Sequence, residues 1–228
     1  MMTCYSLSRA AGLLIVAVGL IAAPPPAIKG WGQADDPDGD CRFEARDSKL
    51  TIRVPGTPHN LVADGGQLNA PRVLSSARGE FIVMVRAAGD VHPGPEPSVP
   101  DSLPYNGTGL LLWVDRDNYI RLERAGLIQQ GAYISYANFE HFSGGRRTFS
   151  QGLEIQNLPT TLRLERRGGT VYASVSQDGA TWNSFRTLEV TLPEEMKLGV
   201  AAVNTSTKPF AGELEGLTVF TRHEVGAP

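Results

Sequence analysis

The chain is short of cysteine, of basic runs and of long apolar stretches, and each shortage removes a class of protein. Two cysteines in 228 residues, Cys4 and Cys41, exclude a disulfide-stapled scaffold. With 21 Lys and Arg against 24 Asp and Glu, the chain lacks the positive charge that neutralises phosphates in nucleic-acid complexes, so no nucleic-acid partner is expected. No polybasic segment offers itself to an anionic membrane surface. The four histidines, His59, His92, His141 and His223, show neither H-x-x-x-H nor H-x-H spacing for zinc. No G-x-S-x-G elbow marks a serine nucleophile.

The longest apolar run, Ala10 to Ala23, is too short for a membrane span, which needs roughly 20 residues. Arg9 precedes it and Pro24-Pro25-Pro26 would break a helical continuation, so the start reads as a secretory signal. Gly32-Gln33-Ala34 supplies small residues where a signal peptidase reads, which places the expected cut after Ala34 and the signal at residues 1–34. A cut nearer Ala23 would leave proline directly behind it. The expected location is therefore secreted or periplasmic, with no membrane attachment after cleavage. Removing Arg9 and Lys29 with the signal leaves 19 bases against 24 acids, a formal charge of −5. Cys41 is then the lone cysteine, for which burial is the expected state.

Residues 35–228 suffice for one sizeable core, and one domain is expected there. From Cys41 onward, short runs of alternating side chains are separated by Gly, Pro, Asn and Asp clusters. Strands are predicted at 41–46, 49–54, 71–76, 79–88, 108–114, 118–124, 131–140, 160–167, 170–176, 183–190, 196–204 and 212–221, and helix is confined to a turn near Pro193-Glu194-Glu195. This pattern predicts an all-β sandwich of two antiparallel sheets. Asp90 to Asn106 carries five prolines and reads as a stiff surface loop, whose other use is docking a protein partner. His141 to Gly152 reads as a hairpin tip with a basic pair, Arg146-Arg147.

Two segments share the tetrapeptide RLER, at Arg121 to Arg124 and Arg163 to Arg166. Strand parity puts Arg121 with Glu123, and Arg163 with Glu165, opposite the leucines that face a core. If the two strands are neighbours, the charges form a cross-strand lattice worth roughly 0.2–1 kcal/mol per pair. The same four side chains also suit a polar sheet floor that bonds sugar hydroxyls, with Tyr119 or Trp113 as the stacking aromatic.

The motifs DPDGDCRFE (Asp36 to Glu44), LTIRVPGTPHNL (Leu50 to Leu61), NAPRVL (Asn69 to Leu74), GLLLWVDRDNYIRLER (Gly109 to Arg124), LRLERRGG (Leu162 to Gly169), SQDGATW (Ser176 to Trp182) and LGVAAVNTS (Leu198 to Ser206) span nearly the whole of the chain after the signal. In them the chain resembles the concanavalin-A-like lectin and glucanase superfamily. More narrowly, it resembles the secreted family called domain of unknown function 1349, also described as similar to the regulation-of-enolase protein. The resemblance implies a jelly-roll fold, company with carbohydrate-active enzymes and no established reaction.

Glycosidases of that fold carry an E-x-D-x-E or E-x-D-x-x-E strand, since retaining cleavage needs two carboxyls about 5–5.5 Å apart. No glutamate here has that spacing, and Glu213-Leu214-Glu215 reads as the solvated side of the last strand. The expectation is a non-enzymatic module binding a glycan or cell-envelope polysaccharide. The alternatives are a glycoside hydrolase or lyase with a non-standard site, and a structural or envelope domain that docks another protein. Asp36, Asp38 and Asp40 form the one metal signal, a cluster of hard oxygens suited to calcium. It lacks the glycine and the glutamate of an EF-hand loop. Calcium is thus the only cofactor the sequence leaves room for. His59, Asn69 and Arg72 form a second small cluster; Arg72 is expected either to pair with an internal carboxylate or to meet an acidic ligand. SQDGATW reads as a tight turn with Trp182 at core or rim.

Overall fold

The computed structural model describes residues 26–221. The alternating runs pair into two antiparallel sheets packed face to face, a jelly-roll sandwich without helix among the described residues. The larger sheet runs β1 (Ala27–Ile28), β2 (Gly32–Asp35), β7 (Arg72–Arg78), β17 (Glu195–Asn204), β9 (Tyr105–Trp113), β10 (Tyr119–Gln129), β11 (Ala132–Ser143) and β12 (Arg146–Glu154). The second runs β15 (Asn183–Ser184), β14 (Thr170–Ser176), β13 (Thr160–Arg167), β8 (Phe81–Ala87), β18 (Phe210–Thr221), β4 (Lys49–Val54) and β3 (Arg42–Arg46), with β16 (Leu188–Glu189) also on β14. A small hairpin, β5 (Leu61–Val62) and β6 (Gln67–Leu68), stands apart from both.

The core follows from the period-2 pattern. Leu110, Leu112, Ile120, Leu122 and Val200 point inward from the larger sheet, and Val83, Val85, Leu162, Leu164 and Leu214 meet them from the second. Burying one such side chain stabilises the fold by roughly 1.5–3 kcal/mol. Gln130 and Gly131 both take positive φ, 52° and 77°, the backbone of a two-residue hairpin turn, and this fixes the register of β10 on β11.

Four expectations meet the structure at particular residues. The expected boundary after residue 34 falls inside β2, which pairs Gln33 with Leu74 and Ala34 with Val73, and Trp31 and Ala34 lie in the core. A boundary after Ala34 would cut a strand and remove a buried indole. The part of the signal reading that covers residues 1–25 lies outside the described residues. Second, residues 146–154 are a full strand, β12, with the turn confined to Gly144-Gly145. Third, Pro193-Glu194-Glu195 leads straight into β17 without a helical turn. Fourth, the RLER strands are not neighbours. β10 lies in the larger sheet and β13 in the second, so their leucines meet across the core and their charges point to opposite outer surfaces.

The proline-rich segment is tied down. Gly94 N–H donates to Ser206 Oγ (2.9 Å), Ser98 N–H to Thr205 O (2.9 Å), and Thr207 N–H to Glu96 O (3.0 Å). In SQDGATW the Asp178 carboxylate accepts the N–H groups of Ala180 and Thr181 while Gly179 takes φ 77°. These bonds hold the Asp178 carboxyl well below its usual range, and Trp182 sits at the rim. Glu215 meets Lys49 at 2.6 Å on the solvated side of β18, as the sequence suggests. Asn106 and Asn204, the acceptors of two N-x-S/T sequons, are both buried.

Candidate functional site

The outer face of the larger sheet divides into an apolar part and a charged part. The β5–β6 hairpin lays Leu61 on Leu111, Tyr119, Phe142, Ala201 and Val203, forming a second small core there. Tyr119 is consequently 1% exposed, its hydroxyl donating to Leu61 O (3.1 Å) and accepting Ala63 N–H (3.2 Å). Stacked against Phe142 at 4.5 Å, it is a packing residue and not the sugar platform expected of it.

Trp113 lies beside it, ring centroids 5.4 Å apart, with the Arg72 guanidinium 4.5 Å above the indole. Arg72 also pairs with Asp35 at 2.5 Å, so the internal-carboxylate reading of Arg72 describes the observed contact. Trp113 forms one wall of a cleft of about 380 Å³, whose polar lining includes Gln33, Asp35, Ser76 and Lys197.

Next to the hairpin, β10 and β11 carry a charged ladder. Arg121 is opposite Glu140, and Glu123 is opposite Asn138. Arg121 Nε donates to Glu140 Oε2 (2.5 Å) and lies 3.3 Å from Glu123 Oε1. Tyr105 donates to Glu123 Oε1 (2.5 Å), while Arg147 Nη1 (2.9 Å) and Ser150 Oγ (3.2 Å) donate to Glu140 Oε1. Arg121, Glu123 and Glu140 are 6%, 3% and 1% exposed; the Arg147 side chain, 49% exposed, is the ladder's link to solvent. Gly107 makes the arrangement fit, because a Cβ there would stand 2.7 Å from Tyr105 Oη and 2.8 Å from Glu123 Oε2.

Environment separates the two acids. Burial raises the Glu123 carboxyl above its ordinary value despite Arg121. Burial also works against ionised Glu140, yet the charges and hydrogen bonds of Arg121 and Arg147 outweigh it and lower that carboxyl. Burial beside Glu123 pushes the Tyr105 phenol up. Arg121 Nη1 is buried with no hydrogen-bond partner among the described residues.

Of the expected site residues, Arg121 and Glu123 therefore stand together, Trp113 lines a separate cleft with Arg72 stacked on it, and Tyr119 is covered. Arg163 and Glu165 bond each other on the far surface of the sandwich, where Glu165 also holds Arg167. They cannot join a site with Arg121. Glu140, Tyr105, Asn138, Arg147 and Ser150 were not anticipated. For Glu140 the signal was present, since counting back from the Gln130-Gly131 turn sets it opposite Arg121.

The acidic cluster is not drawn to one point. Asp36 Oδ2 accepts Cys41 N–H (2.8 Å), Asp38 Oδ2 accepts Asn69 Nδ2 (2.6 Å), and Asp40 Oδ1 lies 2.8 Å from His59 Nε2. Cys41, expected buried, is half-buried, and burial together with Asp36 and Asp40 pushes its thiol up.

No family model and no curated protein matches the sequence. The fold is shared with solved structures at low identity. A GH43 protein, BlXynB of Bacillus licheniformis, is similar over 81% of this chain at 12% identity and TM-score 0.59, and the chain spans about a third of that protein's length (35%). A legume lectin-like domain of Entamoeba histolytica matches at 9% identity and TM-score 0.54, covering 84% of this chain and 90% of that one. The carbohydrate binding module CBM66 of Bacillus subtilis matches at 12% identity and TM-score 0.50, over 86% of this chain and all (100%) of that one. These likenesses define a class, the lectin-like β-sandwich, and at such identities they concern the fold alone.

Proposed function

We propose that the protein is an exported, non-catalytic module that binds carbohydrate on the outer face of its larger sheet, at the Arg121–Glu140–Arg147 ladder. One observation carries the reading: a buried guanidinium with an unspent donor, Arg121 Nη1, lies beside two carboxylates, a serine and the half-exposed Arg147 on one sheet face. Such paired donors and acceptors suit sugar hydroxyls, and leaving a buried donor unmade costs about 1–3 kcal/mol that a ligand oxygen recovers. Similarity in fold to a lectin-like domain and a carbohydrate binding module supports this reading, as the motifs named above support the narrower family. A glycan or cell-envelope polysaccharide is the partner. The test is a glycan array with wild type, Arg147→Ala and Arg163→Ala. Binding lost only with Arg147→Ala is expected; background signal from all three sinks the proposal.

The second reading is a glycoside hydrolase, favoured by the opposed proton affinities of Glu123 and Glu140, the separation an acid–base pair requires. Weighing against it, Glu140 has both oxygens engaged by Arg121, Arg147 and Ser150, and Glu123 is held by Tyr105 and Arg121. Turnover of any polysaccharide in a broad panel, abolished by Glu123→Gln, would replace the first reading with this one.

Export implies removal of the leader, and Trp31 in the core argues for a cut nearer Ala23 than Ala34. Mass determination of the exported chain distinguishes the two.

A further inference from the structure

A second cluster sits where the β3 entry meets the loop after β4. The Asp40 carboxylate, the Cys41 thiol and the His59 imidazole offer one donor atom each, all within 4.8 Å of one another. His59 is fully buried and held by its backbone, its N–H donating to Asn204 O (2.8 Å) and its carbonyl accepting Asn204 N–H (2.9 Å). Its Nδ1 lies 3.0 Å from Thr57 O, an acceptor, so Nδ1 carries the proton. Nε2 then turns toward Asp40 Oδ1 at 2.8 Å and Asp38 Oδ2 at 3.8 Å. A nitrogen lone pair facing carboxylate oxygens at that range requires a positive centre, either a second ring proton or a cation shared by both.

The surroundings favour the cation. Asp36 holds the Cys41 N–H and Asp38 lies 3.8 Å from His59 Nε2, and among the described residues no Lys or Arg pairs with Asp36, Asp38 or Asp40. Asp36 Oδ1 is buried without a hydrogen-bond partner among the described residues. A histidine whose other ring nitrogen donates to a backbone carbonyl has the arrangement that orients imidazole ligands on metals. The donor set is sulfur, nitrogen and oxygen. Thiolate and imidazole reject calcium and suit a borderline divalent ion of the zinc type.

We propose that Cys41, His59 and Asp40, with Asp36 as fourth ligand, bind one zinc-class divalent cation. Zinc bonds of about 2.0–2.3 Å bring tetrahedral donors closer than the widest separation here, so binding draws the two loops together by on the order of 1 Å. The ion crosslinks the start of β3 to the loop that leads into the β5–β6 hairpin. Asn69, bonded to Asp38 (2.6 Å) and to Pro58 O (2.7 Å), carries that link to the hairpin's far end. The metal thereby fixes the cover over Tyr119 and one wall beside the proposed sugar site, yet its binding does not depend on that reading.

The test uses the exported protein, stripped by chelator under a non-thiol reductant and titrated with zinc, cobalt(II) and calcium. One equivalent of zinc is expected to bind and raise Tm, with calcium unable to compete. Cobalt is expected to give thiolate-to-metal charge-transfer absorption. Cys41→Ser should abolish that absorption, and Asp40→Asn, at an exposed side chain, should weaken zinc by at least about tenfold while the fold persists. Absence of saturable zinc binding overturns the proposal, as does zinc binding unchanged in both variants. So does nitrogen-15 NMR showing both His59 ring nitrogens protonated in excess zinc, which would make the contact a His–Asp ion pair.

Discussion

The tetrapeptide RLER occurs twice, and its two copies live in different media. In β10 the first arginine and the glutamate, Arg121 and Glu123, are buried beside a second acid, Glu140; in β13 Glu165 is equally buried, with a side chain 6% exposed, but its partners Arg163 and Arg167 are 28% and 62% exposed. Both copies seat their leucines in one core. What differs is the reach of solvent to the arginines: Arg121 is enclosed between Glu140 and Glu123, while Arg163 and Arg167 extend to water from the buried Glu165. An identical local sequence thus yields a buried network with one unspent donor on one surface and a buried glutamate held by part-exposed arginines on the other, and only the first encloses its arginine.

The contrast can be broken most directly by deleting each arginine. Arg121→Ala strands Glu140 and Glu123 without their central counter-charge and should cost about 3–5 kcal/mol, whereas Arg163→Ala, at a partly exposed pair, should cost under about 1 kcal/mol. Urea unfolding of the two variants decides; equal losses would mean that burial does not separate the copies.

A smaller effect is expected at Arg72, where Arg72→Ala loses the Asp35 pair and the Trp113 contact and should cost about 1–3 kcal/mol in the same assay. That loss should exceed any drop in glycan capture caused by Trp113→Ala. Unchanged melting with abolished capture in Arg72→Ala would move the binding site to the Trp113 cleft.

The acids sharpen the comparison through pH. Glu140, with a lowered carboxyl in the fold, contributes stability that is present above the unfolded value of about 4.3 and is lost as pH falls through its folded value. Glu123, raised in the fold, has the opposite sign: its ionisation costs stability at neutral pH, and that cost disappears as pH falls below its folded value. Glu123 should therefore add a rise in Tm on mild acidification, against the loss that His141, lowered by burial, contributes there, and Glu140 a drop at lower pH; Glu123→Gln should lose the rise relative to wild type but keep the drop. A rise that persists in the variant would assign it elsewhere.

Least of all should Arg147→Ala affect stability, by under about 1 kcal/mol at its half-exposed position, even though it removes the ladder's link to solvent. Melting curves would expose a larger loss, and with it a structural rather than a ligand-facing role.

Much of the fold was legible because strand alternation is local: 49–54, 160–167 and 170–176 are read to the residue. β12 was hidden because Gly144-Gly145-Arg146-Arg147 looks like an extended tip when the turn itself needs only the two glycines. β2 was hidden because Gly32-Gln33-Ala34 satisfies a peptidase pattern and a strand edge equally well. The site was half legible. Parity joined Arg121 to Glu123, but sheet membership, which separates Arg163 from them, is a long-range property that no tetrapeptide encodes. The cover over Tyr119 comes from a hairpin of two-residue strands, too short to show a period.

The buried asparagines bear on how this chain is made. Asn204 donates to Pro55 O (2.7 Å) and Lys208 O (3.0 Å) and its carbonyl accepts Ser206 N–H, while Asn106 lies inside β9 against β17. An oligosaccharide can reach either amide only on a chain that has not yet folded, and once attached it blocks closure of the β9–β17 seam. In a host that glycosylates during translocation, modification and folding compete for the same nascent chains. Yield would then be governed by which is faster, and replacing both Thr108 and Ser206 with alanine would remove the competition while leaving both asparagines in place.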